Sequence, residues 1–420
     1  MPTPELPSET TDRIIAHVWP DNRTLLKCAL VCSRWLPASR HHLFSEINFP
    51  SRSSYDLLVA RVLHSEHMRP WLASVRSMEF IELRSIGEGR WLPIPPAEQI
   101  GQLFLRDFIG QLPNMHSLRF QGEDWAQCRP RPGAFAAFSQ FPSLSKLDLF
   151  DCFFPSFAAL RQMLSALPAL SSLMINGAQW PASSNPHPVS AVGPNSRPRL
   201  ETLYFVMEGV NDAADEFMNW LVQTASRSSI HHLEVFNGLD PTTDPWSVIS
   251  RYTHLFAASV DYLRIVYVEN RLSSLSDFTS LTDLSIDILA SIYGCPDWQG
   301  IARMLQALQC SLHTLGVAFT YASQQYPHSP TPRRDIHSFV YEDGMEILDA
   351  VLEHKRFQGL KTVLFSMHIV LSQEDASLAA RPAHTHEGLG EIIRSKLPKL
   401  VKRVDAKAFV HVRMLPLRGS

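Results

Sequence analysis

The sequence predicts an α/β solenoid preceded by a short helical module. Three observations carry that expectation. A phrase L-x-x-L-x-Φ, with Φ apolar, recurs ten times between Val75 and Phe365. Prolines and helical stretches alternate with these phrases, and the first forty-five residues hold apolar helices of another kind. A single core rarely grows past ~250–300 residues, so a chain of 420 residues, 45% hydrophobic and 19% charged, calls for several domains or one extended array. The organisation read from the pattern is a docking module at residues 1–50 and a solenoid at 51–420.

In the first segment, LPSETTDRIIAHV reads as a helix with Pro7 in its first turn and Ile14, Ile15 and Val18 on its apolar side. TLLKCALVCSRW reads as a second helix, too apolar at Leu25, Leu26, Ala29, Leu30 and Val31 for a solvated surface. Ser33 is placed to cap a third helix from Arg34 to about Ser45, with Pro37 tolerated in its first turn. Three such helices are too small to be stable alone. Their apolar excess is finished either by another protein or, if they form a cap, by the array that follows. The number of apolar sides and the large Trp35 favour the former.

The repeated phrases are VRSMEF from Val75, MHSLRF from Met115, LSKLDL from Leu144, LSSLMI from Leu170 and LETLYF from Leu200. They continue as IHHLEV from Ile230, VDYLRI from Val260, LTDLSI from Leu281, LHTLGV from Leu312 and LKTVLF from Leu360. Steps between first residues are 40, 29, 26, 30, 30, 30, 21, 31 and 48. Most are slightly longer than the ~20–29 of leucine-rich repeats, and the ends are irregular, as terminal repeats are. Pro113, Pro142, Pro168 and Pro198 stand two residues before a phrase, where proline ends a helix and starts an extended strand. AEQIGQLFLRDFIGQL, PSFAALRQMLSAL and DAADEFMNWLVQTA are helical stretches ahead of such stops. The expected architecture is an irregular leucine-rich array with parallel strands on its concave side and helices outside. RWLPIPPAE, QCRPRPGA, the segment 180–198 and YPHSPTPRRD fall between phrases and read as exposed loops, 180–198 as a mobile one.

Because side chains alternate along a strand, the x residues share one face. That puts Arg119, Gln121, Lys146, Asp148, Phe150, Met174, Asn176, Tyr204, Glu234, Phe236, Tyr262, Arg264 and Asp287 on a single surface. Both charge signs interleave with aromatics there, which suits a protein target better than a polyanion. The target-binding candidates are Arg119, Gln121, Lys146, Asp148, Phe150, Met174, Tyr204, Glu234, Phe236 and Arg264.

Other chemistries find little support. A net charge of -3 gives no electrostatic reason for nucleic acid or an anionic membrane as partner. No GxxxxGK[ST], GxSxG or HExxH occurs, so no catalytic residues and no cofactor are expected. Six cysteines are too few for a disulfide framework. Cys28 and Cys32, one helical turn apart, are expected as buried thiols, and even with His41 and His42 their spacing matches no zinc pattern, so no metal is expected. HTHE at 384–387 is expected in a loop before a helix starting near Glu387, a weak ligand set. The absence of a signal peptide or an apolar run of ~20 residues leads to an expectation of the cytoplasm or nucleus.

One resemblance sharpens this reading. Leu6-Pro7 with Glu9, then Ile14-Ile15, Leu25-Leu26 and Leu30-Val31-Cys32-Ser33-Arg34-Trp35 resemble the F-box pattern in order and spacing over about residues 4–46. LVCSRWLPASRHHLF looks especially like F-box proteins of mushroom-forming fungi, with departures at Thr10 and at Trp19-Pro20. The resemblance implies a three-helix F-box that docks on a Skp1-type adaptor and through it a cullin. It implies Leu6, Pro7, Ile14, Leu25, Leu30, Val31 and Trp35 as contact or anchoring residues. The expected function is a substrate-recognition adaptor of an SCF-type (Skp1-cullin-F-box) E3 ubiquitin ligase, working by proximity and not as an enzyme. A scaffold bound to Skp1 without a role in ubiquitination shares every one of these features.

Overall fold

The computed structural model describes residues 7–81, 100–128, 133–181, 197–207, 211–237, 254–267, 275–289, 298–322, 344–371 and 386–414. The chain divides into two units, Met1–Leu200 and Glu201–Ser420. RWLPIPPAE, YPHSPTPRRD, most of 180–198, half of QCRPRPGA and the first two residues of HTHE lie outside the described residues, and His386 and Glu387 of HTHE open a helix.

The first unit opens with three helices: α1 (Ser8–Val18), α2 (Asn22–Val31) and α3 (Leu36–Ser45). Asp21 caps α2 by accepting from the backbone N–H groups of Arg23 and Thr24. The second helix is shorter than the sequence suggested. Cys32 is extended, a turn follows, and α3 begins after Trp35 with Pro37 in its first turn, so Ser33 caps nothing at Arg34. Ile15, Leu25 and Cys28 form the interior of the three helices, whereas Cys32 is exposed, contrary to the expectation of two buried thiols.

Strand β1 (Glu46–Phe49) follows α3 directly, inside the segment that the sequence assigned to the helical module. It pairs in parallel with β2 (Ser77–Ile81), and β3 (Ser117–Gln121), β4 (Lys146–Phe150) and β5 (Ser172–Asn176) add in chain order. The ladder is in register on two core rungs, Met78–Leu118–Leu147–Leu173 and Phe80–Phe120–Leu149–Ile175. Phe49, Phe80 and Phe120 stack face to face across three strands, with ring centroids 5.0 and 5.1 Å apart. Tyr55, Phe104, Phe108 and Phe141 close over them from the connecting segments, so this half of the core is aromatic more than leucine-rich. The helices Gly101–Phe108 and Phe157–Ala166 are those the sequence placed there.

The second unit holds seven parallel strands in chain order: β6 (Thr202–Met207), β7 (His232–Asn237), β8 (Tyr262–Tyr267), β9 (Asp283–Leu289), β10 (Thr314–Ala322), β11 (Thr362–Leu371) and β12 (Asp405–Met414). One core rung runs Leu203–Leu233–Leu263–Leu284–Leu315–Val363–Ala406, and the next runs Phe205–Val235–Ile265–Ile286–Val317–Phe365–Ala408. The helices Asn211–Leu221, Trp298–Ala307, Glu346–Leu352 and His386–Lys396 lie in the connections.

A backbone device recurs in both units. The carbonyl of the residue before one strand accepts two successive N–H groups from the residues entering the next. Arg76 O takes His116 and Ser117, His116 O takes Ser145 and Lys146, and His231 O takes Asp261 and Tyr262. The first apolar residue of each phrase, from Val75 to Leu360, is buried beneath this carbonyl line. At the far ends of β3, β4 and β5, the chain turns through left-handed residues Gly122, Asp151 and Gly177. At Gly177 a Cβ would collide with the carboxylate of Asp151, so both its φ of 69° and its crowding require glycine.

Candidate functional site

The residues singled out by the sequence fall on the helices and, within each unit, on one face of the strands. On the helices, burial separates the candidates. Leu25 is fully buried and holds the three helices together, so it faces no partner. Ile14 is exposed, and Leu30 and Val31 are 86% and 62% exposed. Pro7 is exposed, Trp35 is half-buried at the start of α3, and Leu6 lies outside the described residues. Leu26, 57% exposed, was not among the candidates; it stands one turn before Leu30, and that i, i+4 spacing on α2 was the available signal. Exposed Trp19 at the end of α1 is a further large apolar side chain. So many exposed large apolar residues in so short a segment mark an interaction surface more than a solvated one.

The module is seated on its own unit. His41 Nδ1 lies 3.2 Å from Ser74 Oγ, the Arg40 guanidinium sits 5.7 Å from the Trp71 ring centre, and Ser45 O accepts from Arg76 N–H. Fixed this way, α3 leads straight into β1.

On the strands, the x positions do share one face within each unit. In the first unit Glu79, Arg119 and Asp148 are register partners on β2, β3 and β4. Arg119 Nη1 lies 3.4 Å from Glu79, Nη2 lies 3.1 Å from Asp148, and Lys146 Nζ reaches the same Asp148 oxygen at 3.4 Å. The guanidinium also packs over Phe150, 5.2 Å from its centre. Gln121, Met174 and Asn176 are half-buried on the same face.

The second unit repeats the device. Arg264 on β8 pairs with Asp287 on β9 through Nε at 2.7 Å, reaches Glu234 on β7 at 3.5 Å, and lies 5.1 Å from the Phe236 ring centre. Tyr204 packs on Phe236 with centroids 5.0 Å apart. His232 stacks on Tyr262 at 3.9 Å, and its Nε2 lies 2.8 Å from Glu234. Burial and the Glu234 carboxylate push both Tyr204 and Tyr262 above the ordinary phenol range. Farther along, His368 and His411 stack across β11 and β12 at 4.9 Å.

Two of the expected surface residues are not surface residues. The Asp148 and Asp287 side chains are only 2% and 6% exposed, because neighbouring cations fold over them. They hold the arginines in place, while Arg119, Tyr204, Glu234, Phe236, Tyr262 and Arg264 remain half-buried and Lys146 exposed on these faces. Nucleophilic chemistry is not primed at the buried thiols: burial pushes both Cys152 and Cys310 up from the ordinary thiol value, keeping them protonated. Among the described residues no three potential metal ligands come together, and no helix is long and apolar enough to cross a membrane.

No protein-family model matches the chain, and no curated protein matches it. The class defined by the described residues is therefore structural: an α/β parallel-strand repeat protein of the solenoid kind, led by three helices.

Proposed function

We propose that this chain is a substrate-recognition adaptor of an SCF-type E3 ubiquitin ligase. Its α1–α3 segment is an F-box that docks on a Skp1-type adaptor and through it a cullin, and the variable face of its strands carries a protein target. The reading is supported first by one observation: Leu26, Leu30 and Val31 on α2 are large, apolar and exposed within the segment that resembles the F-box. Burying such side chains is worth roughly 1.5–3 kcal/mol each, enough to anchor a partner. The mixed, pre-paired charges and aromatics on the strand face support a protein target, since protein-binding surfaces favour aromatic and arginine anchors. The work is done by proximity: the target is held while ubiquitin arrives from an enzyme elsewhere on the scaffold.

The test is capture of a purified Skp1-type adaptor by the full chain, beside Leu30→Asp/Val31→Asp and beside Leu57→Asp as an exposed control outside α1–α3. Capture by wild type and the control, lost in the double variant, is the expected result. A folded wild-type chain that captures no adaptor would refute the docking reading.

A further inference from the structure

The variable face of the second unit is not neutral. Among the described side chains on this face of β6 to β10, Glu234, Asp283 and Asp287 stand against Arg264 alone. Arg264 is committed to Asp287 and Glu234, so it does not offset Asp283. Asp283 is half-buried, and Tyr262 is its register partner on β8. His232 is the partner of Tyr262 on the other side, and it leans on Glu234. Tyr262 thus stands on the strand between those of Glu234 and Asp283, and burial first, then Glu234, with Asp287 and Asp283 behind it, raises its hydroxyl against Arg264. Next to it, Tyr204 and Phe236 form an aromatic pair with one guanidinium, that of Arg264, already lying over Phe236. Excess carboxylate and aromatic ring faces favour the same ligand charge, because a cation is attracted by both.

We propose that this face takes a basic, extended segment of the target protein, a lysine or arginine side chain entering beside Tyr262 between Glu234 and Asp283. This rests on the reading of the strand face as the target site and names the chemistry of that target. An acidic or phosphorylated segment is disfavoured by the same carboxylates. In the first unit Glu46, Glu79 and Asp148 stand against Arg119 and Lys146, an excess of one carboxylate where β6 to β10 have two, so the stronger preference belongs to the second unit.

The experiment uses the full chain and a fluorescein-labelled peptide of about ten residues alternating lysine and alanine, with a glutamate–alanine peptide beside it, read by fluorescence anisotropy. The lysine peptide is expected to bind more tightly than the glutamate peptide and to weaken as salt rises from about 50 to about 300 mM. Glu234→Gln/Asp283→Asn is expected to weaken it about tenfold, and Asp283→Asn alone about threefold, as loss of partly exposed charge contacts would. Glu346→Gln/Glu353→Gln removes the same charge on and beside a connecting helix, at positions paired with Lys396 and Lys399, and is expected to bind as wild type. Equal or tighter binding of the glutamate peptide would overturn the proposal, as would unchanged binding by Asp283→Asn and the Glu234 double variant. Adaptor capture measured on the same preparation separates the two readings: capture without lysine-peptide preference removes only this inference.

Discussion

Arg264 grips Asp287 with two nitrogens, Nε at 2.7 Å from one carboxylate oxygen and Nη2 at 3.3 Å from the other. The two residues sit on adjacent strands but not on the same rung: the register partner of Arg264 is Ser285, so the guanidinium reaches two residues along β9. Because the carboxylate is nearly enclosed, the pair is asymmetric in its consequences.

Arg264→Gln is expected to destabilise the chain by about 2 kcal/mol, less than the 3–5 of a fully buried pair because Arg264 keeps a third of its exposure. Burial holds the Asp287 carboxyl above its ordinary 3.8 despite the opposing Arg264. The fold therefore favours its protonated form, a contribution present below the ordinary value and lost as pH rises through the folded one. Carboxyl NMR titration should place its midpoint above 3.8 and move it higher still in Arg264→Gln.

Acid acts in the opposite direction at His368, where it weakens the second unit. Burial and the stacked His411 hold His368 below its ordinary 6.5; Arg264 adds to this and Asp287 opposes it. A depressed histidine contributes stability present above 6.5 and lost as pH falls through its folded value. Imidazole NMR should find His368 titrating below 6.5, and His411→Asn should raise it by removing the like charge. A His368 midpoint unchanged by His411→Asn would refute the coupling.

Leu25 and Leu30 should behave oppositely although both belong to the same apolar run. Leu25→Ala empties a fully buried site and should cost about 3 kcal/mol in chemical denaturation. Leu30→Ala should leave the unfolding midpoint in place while weakening adaptor capture.

Gly177→Ala adds a left-handed penalty of about 1–2 kcal/mol to a collision with the Asp151 carboxylate. A lowered melting temperature is expected, and Gly110→Ala is the comparison: also left-handed, but with open space around its Cβ position.

Most of the strand framework was legible because the core rungs of β2 to β11 are occupied by leucine, isoleucine, valine or phenylalanine, with methionine at Met78, at fixed offsets. All ten phrases became strands, β2 to β11. The two strands that escaped show why the phrase has limits. β1, in the stretch FSEINF, carries Phe44 in the lead position but no leucine, and it lies inside the run read as the third helix and its end. β12 fills its core rungs with Ala406 and Ala408 opposite Val363 and Phe365, so its period-two alternation was the only available sign. The candidate surfaces were legible by face but not by depth. Strand alternation puts Asp148 beside Arg119 and Lys146, yet only the three-dimensional contacts reveal that these cations cover it. The break at Cys32 was hidden for a related reason: apolar residues continue past the end of α2, and only an extended backbone at Cys32 turns the chain toward α3.

The shared carbonyl before each strand explains how steps between phrases can vary from 21 to 48 residues without disturbing the register. Most strands enter the sheet at one oxygen atom of their predecessor, and the ladder carries that register onward without reference to the intervening segment. Connections can lengthen, shorten or change character freely provided they return to that atom. Within each unit, what is inherited from strand to strand is a point of departure, and loop length is left open.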